Sequence, residues 1–358
     1  MSAIRGLKTA PPALLLALLL LLGCAAKEES GTATTPFITT AAAAPAPKEK
    51  KAVPPAAKAG GGKSAGTNSA SAVETSVARM LRSAGRNPSP AAQPEAGFIL
   101  RIPAALGDGE AFLVEFGAGG AQAVDFQWQG KTLTVPAPNP RTGAFQTLLP
   151  VALDEKAKTL PLGMTVHWAD GKRERFTADL AVKRRSYPVQ KLTVESKYVT
   201  PPPEVEEKIK RDRMEMRAAV TTFTPRQYWS LPMLRPVPGE VTSLYGLRRV
   251  FNNQPKNPHK GLDLDARQDD PVHAAADGVV VLVSDHYYGG NTVVIDHGLG
   301  VLTAYLHLSG FNADTGQQVK RGDVIGFIGS TGRVTGPHLH LSLYVMGESI
   351  NPLPLLSK

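Results

Sequence analysis

Seven of the eight histidines fall between His259 and His340, and three short segments hold the informative ones: HKGLD (259–263), AYLHLS (304–309) and GPHLHLS (336–342). Successive side chains of a β-strand turn to opposite faces, so residues at i, i+2 and i+4 share a face. His259 and Asp263 therefore point the same way if HKGLDLDA is a strand, as do His338 and His340 in HLHLSLYV. Two imidazoles and a carboxylate on neighbouring strands make a three-ligand zinc site with a fourth position left for water. The chemistry this implies is metal-assisted hydrolysis.

Such residues need a folded frame. A chain of 358 residues with 42% hydrophobic content has room for two to three domains and at least one sizeable core. Its formal charge of +9 is unevenly spread: residues 1–96 hold 11 Lys/Arg against 5 Asp/Glu, whereas 240–358 hold 9 against 11. The histidine-bearing segment is slightly acidic, which removes the electrostatic footprint of nucleic-acid binding. Cys24 is the single cysteine, so no intrachain disulfide forms and thiol catalysis elsewhere is excluded.

At the N-terminus, Arg5 and Lys8 precede a ten-residue apolar run, Ala13 to Leu22, and then Gly23-Cys24. Ten helical residues rise only about 15 Å, roughly half a hydrocarbon core, so the run reads as an export signal over 1–23 rather than a membrane span. LLGC followed by Ala25 is similar to a bacterial lipobox, which implies cleavage before Cys24 and lipidation of its sulfur. That resemblance places the protein in the cell envelope, anchored in the outer membrane and facing the periplasm. Residues 24–96 are rich in Ala, Pro, Lys, Gly and Ser, too poor in large apolar groups to offset ordering entropy, and are expected to be a disordered tether.

From 97 to 200 the chain shows about eight short β runs, FILRI to VQKLTVE, with Asp170-Gly171 as a hairpin turn. This pattern predicts a β-sandwich, with His167 an ordinary strand residue. Pro201-Pro202-Pro203 closes it, and EVEEKIKRDRMEMRAAV, acidic first and basic after, predicts a helix within a 201–235 connector. Residues 236–358 are β again. The expected fold is mainly β: an N-terminal sandwich-like domain and a C-terminal antiparallel β domain that carries the histidine segments, joined by a short helix.

HKGLD, YLHL and GPHLH, in that order within an all-β domain, closely resemble the lysostaphin-type (LytM-like) zinc endopeptidases that cut peptidoglycan cross-links. The likeness covers about Pro236 to Pro352. It implies one zinc ion held by His259, Asp263 and His340, with His307 and His338 assisting catalysis as general base and as stabiliser of the oxyanion or donor to the leaving amine. It further implies peptidoglycan stem peptides as substrate. An alternative within the fold is a non-catalytic lipoprotein scaffold that binds the wall or activates amidases; retention of all five positions weighs against it. A third reading makes the 97–200 domain a wall-binding module. Asp265 alternates onto the face of Asp263 and is either an orienting partner for a ligand histidine or a plain surface residue. His273 and His286 are expected to face solvent, and His297 in IDHGLG to be structural. GSTGRVTGPH lacks the ending of a phosphate loop and is expected to shape the rim of a groove.

Overall fold

The structure, a computed structural model, describes residues 98–103 and 105–358, together with the backbone of 75–77 and 81–82. The export signal, Cys24 and most of the 24–96 tether lie outside the described residues.

The first layered body is a sandwich. One sheet runs in the order Thr75–Val77, Ile99–Pro103, Ala111–Gly117, Phe145–Pro150; the other in the order Leu81–Arg82, Arg173–Lys183, Thr159–Trp168, Ala121–Trp128, Lys131–Val135. Alternation of buried positions with half-buried ones along Ala111–Gly117, and with exposed ones along the middle of Arg173–Lys183, gives each strand one apolar face. Those faces meet in a core that includes Val114, Phe116, Phe126, Leu162 and Phe176, all buried. The two short segments at 75–77 and 81–82 pair as edge strands of these sheets, so structure begins upstream of the expected boundary at 97.

One expected sandwich strand belongs elsewhere. Val189–Leu192 pairs in parallel with Arg248–Phe251, which forms a hairpin with Gln254–Pro255. The segment after residue 188 has thus left the sandwich and lies against the second body. The Glu206–Val220 helix follows, with Glu206 and Glu207 in its first turn and Arg217 in its last, as the macrodipole favours.

The second body is built on a ten-stranded sheet. Its main path is Val241–Ser243, Leu262–Leu264, Leu339–Val345, Val301–Phe311, Gly290–Asp296, Gly278–His286 and Gln318–Val319. The central strands are apolar on both faces because both are covered. One face packs a core of Leu262, Val293, Ile295, Tyr305, Leu341 and others. The other, through Val294, Leu302 and Ala304, receives Ala219 and Met216 of the helix. Asp212 accepts a hydrogen bond from the Tyr287 amide at 2.6 Å, and Glu215 meets His286 at 3.3 Å and Ser284 at 3.1 Å, which pins the helix to the sheet. His286 is therefore buried beneath the helix and not solvent-facing, a correction forced by a partner that comes from a distant segment.

The Phe145–Pro150 strand is buried along its whole length. Period-2 alternation sends Leu149 into the sandwich core and Leu148 into the core of the second body, so this strand joins the two.

Candidate metal centre and active site

Three elements deliver the site. Leu262–Leu264 pairs antiparallel with Leu339–Val345 so that Asp263 stands directly opposite His340. Leu339–Val345 in turn pairs with Val301–Phe311, whose Leu306 is the partner of His340. His259 is not on a strand, contrary to the expectation that HKGLDLDA is extended throughout; only Leu262–Leu264 is, and His259 arrives from the preceding loop. Gly261 makes this approach possible, since a Cβ there would come within 2.4 Å of His340 Nε2 and 2.8 Å of the Leu341 carbonyl.

The donor atoms converge. His259 Nε2 lies 3.0 Å from Asp263 Oδ1 and 3.0 Å from His340 Nδ1, and His340 Nδ1 lies 2.8 Å from the same Asp263 oxygen. The protons of both rings are committed elsewhere. His259 Nδ1 donates to the Leu244 carbonyl at 2.8 Å, which leaves Nε2 a bare lone pair. Ser342 spends its hydroxyl proton on the Lys260 carbonyl, so at 3.0 Å it accepts from His340 Nε2, and His340 Nδ1 is bare as well. Two imidazole lone pairs and a carboxylate oxygen then face one point with no proton between them. A metal cation satisfies that arrangement.

The electrostatics agree. Burial pushes the His340 imidazole down to about 4, keeping it neutral. On the other side of the carboxylate, Arg249 donates to Asp263 Oδ2 at 3.1 Å and to Ser243 Oγ at 2.9 Å. The orienting partner of the aspartate is thus Arg249. Asp265, weighed for an orienting role, is exposed and takes no part.

His307 and His338 flank this cluster. Their ring centroids are 5.1 Å apart, and His307 is 5.8 Å from His340. His307 Nδ1 donates to the Thr331 carbonyl at 2.9 Å and His338 Nδ1 to the Gly336 carbonyl at 2.8 Å. Each ring therefore keeps a free Nε2, and that of His338 is 3.8 Å from Asp263 Oδ1. His307 holds a left-handed backbone, φ 68°, costing on the order of 1–3 kcal/mol in a non-glycine residue. The amide of His307 bonding the Gly289 carbonyl at 2.9 Å helps to fix it. Burial, with lesser contributions from His340 and His338, pushes His307 down to about 3. All five residues line one groove of about 740 Å³, which Gln190, Tyr198 and Arg213 from the segments upstream of residue 236 also line.

The remaining histidines are structural. His297 is fully buried, with Nδ1 2.7 Å from the Asp277 carbonyl and Nε2 2.7 Å from Thr303 Oγ1. His273 Nδ1 donates to the Gly322 carbonyl, and His167 pairs with Asp125. Ser342, Arg249 and Ser243 are the site residues that sequence reasoning passed over. Ser342 carried a signal, since it stands at i+2 from His340 on one strand face; Arg249 carried none.

Residues 257–352 match the model of peptidase family M23. The chain is 50% identical over 96 residues to the peptidoglycan DD-endopeptidase ShyA of Vibrio cholerae, covering 27% of this chain and 22% of that protein. It is 48% identical over 95 residues to the DD-carboxypeptidase/endopeptidase Mpg of Neisseria meningitidis, covering 26% and 22%. The chain thus spans about a fifth of the length of these curated relatives. A crystal structure of a Pseudomonas aeruginosa protein described as a peptidase M23 superposes with a TM-score of 0.52 at 27% identity, covering 69% of this chain and 93% of that one. Residues 257–352 of this chain thus form a peptidase family M23 domain.

Proposed function

We propose that this protein is a zinc-dependent endopeptidase that hydrolyses peptide cross-links of bacterial peptidoglycan. The observation that carries the reading is the convergence of His259 Nε2, His340 Nδ1 and Asp263 Oδ1 within 2.8–3.0 Å of one another with both imidazole protons turned away. Tetrahedral zinc with donors at about 2.0–2.1 Å separates them by roughly 3.3 Å, so the cluster needs to open by only a few tenths of an ångström. Zinc bound there supplies a Lewis acid that polarises the scissile carbonyl and acidifies the attacking water.

The chain's own residues do the rest. His307 and His338 present free Nε2 atoms on one side of the cluster; one takes the proton from water, and the other stabilises the developing oxyanion or gives a proton to the departing amine. A groove of this size running past all five residues supports a peptide substrate, and the names of the relatives support peptidoglycan. In the same reading, Cys24 is the lipidated N-terminus and 24–96 a tether from the outer membrane into the periplasm, supported by the apolar run ending in LLGC.

The test is metal analysis of protein purified without chelators, alongside digestion of muropeptides with D-Ala–diaminopimelate cross-links resolved by mass. Close to one equivalent of zinc and cleavage at the cross-link are expected. A metal-free, inactive wild type overturns the proposal, and an intact mass showing a free Cys24 in the membrane fraction overturns its anchoring part.

A further inference from the structure

The groove is basic although its domain is not. Residues 240–358 hold fewer Lys/Arg than Asp/Glu, yet their contribution to the groove walls is Arg249, Lys256, Lys260 and Arg333 against Asp263 and Asp265. Two of these cations are committed: Arg249 to Asp263 and Ser243, and Lys256 to the Val199 carbonyl and Gln254. Arg333 is not. Its guanidinium carbon lies 4.7 Å from the Phe251 ring centroid and 4.8 Å from that of Tyr288, and among the described residues its guanidinium meets no hydrogen-bond acceptor and no carboxylate. Burial depresses its pKa below the ordinary arginine value, with Arg249 adding repulsion. A partly dehydrated cation without a counter-ion is an unfavourable state that an anion relieves.

The position is built rather than incidental. Gly332, φ +74°, abuts the Tyr288–Gly290 turn so closely that a Cβ would come within 2.4 Å of the Gly290 nitrogen and 2.6 Å of the Tyr288 carbonyl. The Arg333 amide then donates to that same carbonyl at 2.9 Å. The loop is fixed against the turn, and the side chain is set on the two rings. The two rings hold the guanidinium without taking a hydrogen bond from it, so its N–H groups, which grip a carboxylate bidentately, stay available.

We infer that Arg333 anchors a carboxylate of the substrate, so that the groove selects an anionic peptide over a neutral one of the same shape. This rests on the peptidase reading and narrows it to cross-links that carry a free carboxylate, as diaminopimelate does and a glycine bridge does not.

The test compares two cross-linked peptides that differ only at the diaminopimelate carboxylate, free in one and amidated in the other. Wild type should favour the free acid by about 10- to 100-fold in kcat/KM, chiefly through KM. R333Q should bring the ratio close to one, and R333K, which keeps charge but loses the planar fork, should leave a preference below that of wild type. Because each variant is judged by a ratio, a general loss of activity does not mimic the result. An unchanged ratio in R333Q, or no preference in wild type, overturns the anchor. If R333Q does not fold, an R333K ratio equal to that of wild type overturns it equally. Should wild type cleave neither peptide, the peptidase reading fails, and calorimetric affinities of the same two peptides still decide the anchor: a preference that R333Q abolishes sustains it, and equal affinities overturn it.

Discussion

In the sandwich, His167 Nε2 lies 2.7 Å from Asp125 Oδ2; in the peptidase domain, His340 Nδ1 lies 2.8 Å from Asp263 Oδ1. By residue type and distance the two contacts are alike. Their surroundings separate them. Asp125 takes a second hydrogen bond from Thr134, the side chains are 20–26% exposed, and a single imidazole proton satisfies the pair. Asp263 and His340 are more enclosed, a second imidazole reaches the same carboxylate oxygen, and Ser342 and Leu244 have already claimed the protons of both rings. A histidine–aspartate contact becomes a cation site when a third donor arrives and second partners remove the protons that would otherwise fill the gap.

Breaking that difference has its largest effect at a ligand. His340→Ala should take bound zinc well below one equivalent by metal analysis and abolish cleavage; full metal retention would sink the assignment. Next in size are His307→Ala and His338→Ala, each expected to keep zinc and lose about 10²-fold or more in kcat. Metal and activity lost together in both would mean that the division between ligands and catalysts is wrong.

A different comparison concerns His297, buried among apolar strands and pushed down by desolvation to about 4 from 6.5. Its folded pKa is depressed, so the unfolded chain binds the extra proton: its contribution is complete above about pH 6.5 and is lost as pH falls towards 4. Up to about 3 kcal/mol is at stake. In urea titrations His297→Gln should be less stable than wild type at pH 7, with the gap narrowing by pH 4.5. A gap independent of pH would contradict the neutral, buried assignment.

Ser342→Ala sharpens the account of the second partners. It removes the acceptor that holds the proton on His340 Nε2, and competition with a chelator should show zinc affinity reduced by about 10-fold while the fold persists. The smallest effect belongs to the sandwich pair. His167→Ala should leave zinc content unchanged and cost under about 1 kcal/mol in denaturant unfolding, because a partly exposed pair contributes little; a loss of metal there would dissolve the contrast between the two regions.

The sequence determined a good deal by itself. Period-2 patterns and turn residues marked the longer strands of both bodies, because alternation is a local consequence of the pleat, but passed over short ones such as Pro271–His273 and Glu348–Ile350. The acidic-to-basic order of 206–217 marked the helix for a similarly local reason. Three histidine-bearing segments in a fixed order pointed to the family, and the fold gathers the four histidines and the aspartate they singled out along one groove. What the sequence left open depends on atoms that meet across long separations. Val189–Leu192 read as one more sandwich strand, since nothing local says that its edge pairs with Arg248–Phe251. His286 read as solvent-facing because its cover, Glu215, lies 71 residues away. His259 joins the site from a loop, which alternation does not describe, and Arg249 reaches Asp263 by a contact that no spacing rule encodes. Tertiary structure alone decided which ring nitrogen carries each proton, since that follows from the Leu244 and Lys260 carbonyls and the Ser342 hydroxyl, and a proton's position is set by whichever acceptor the fold brings within reach.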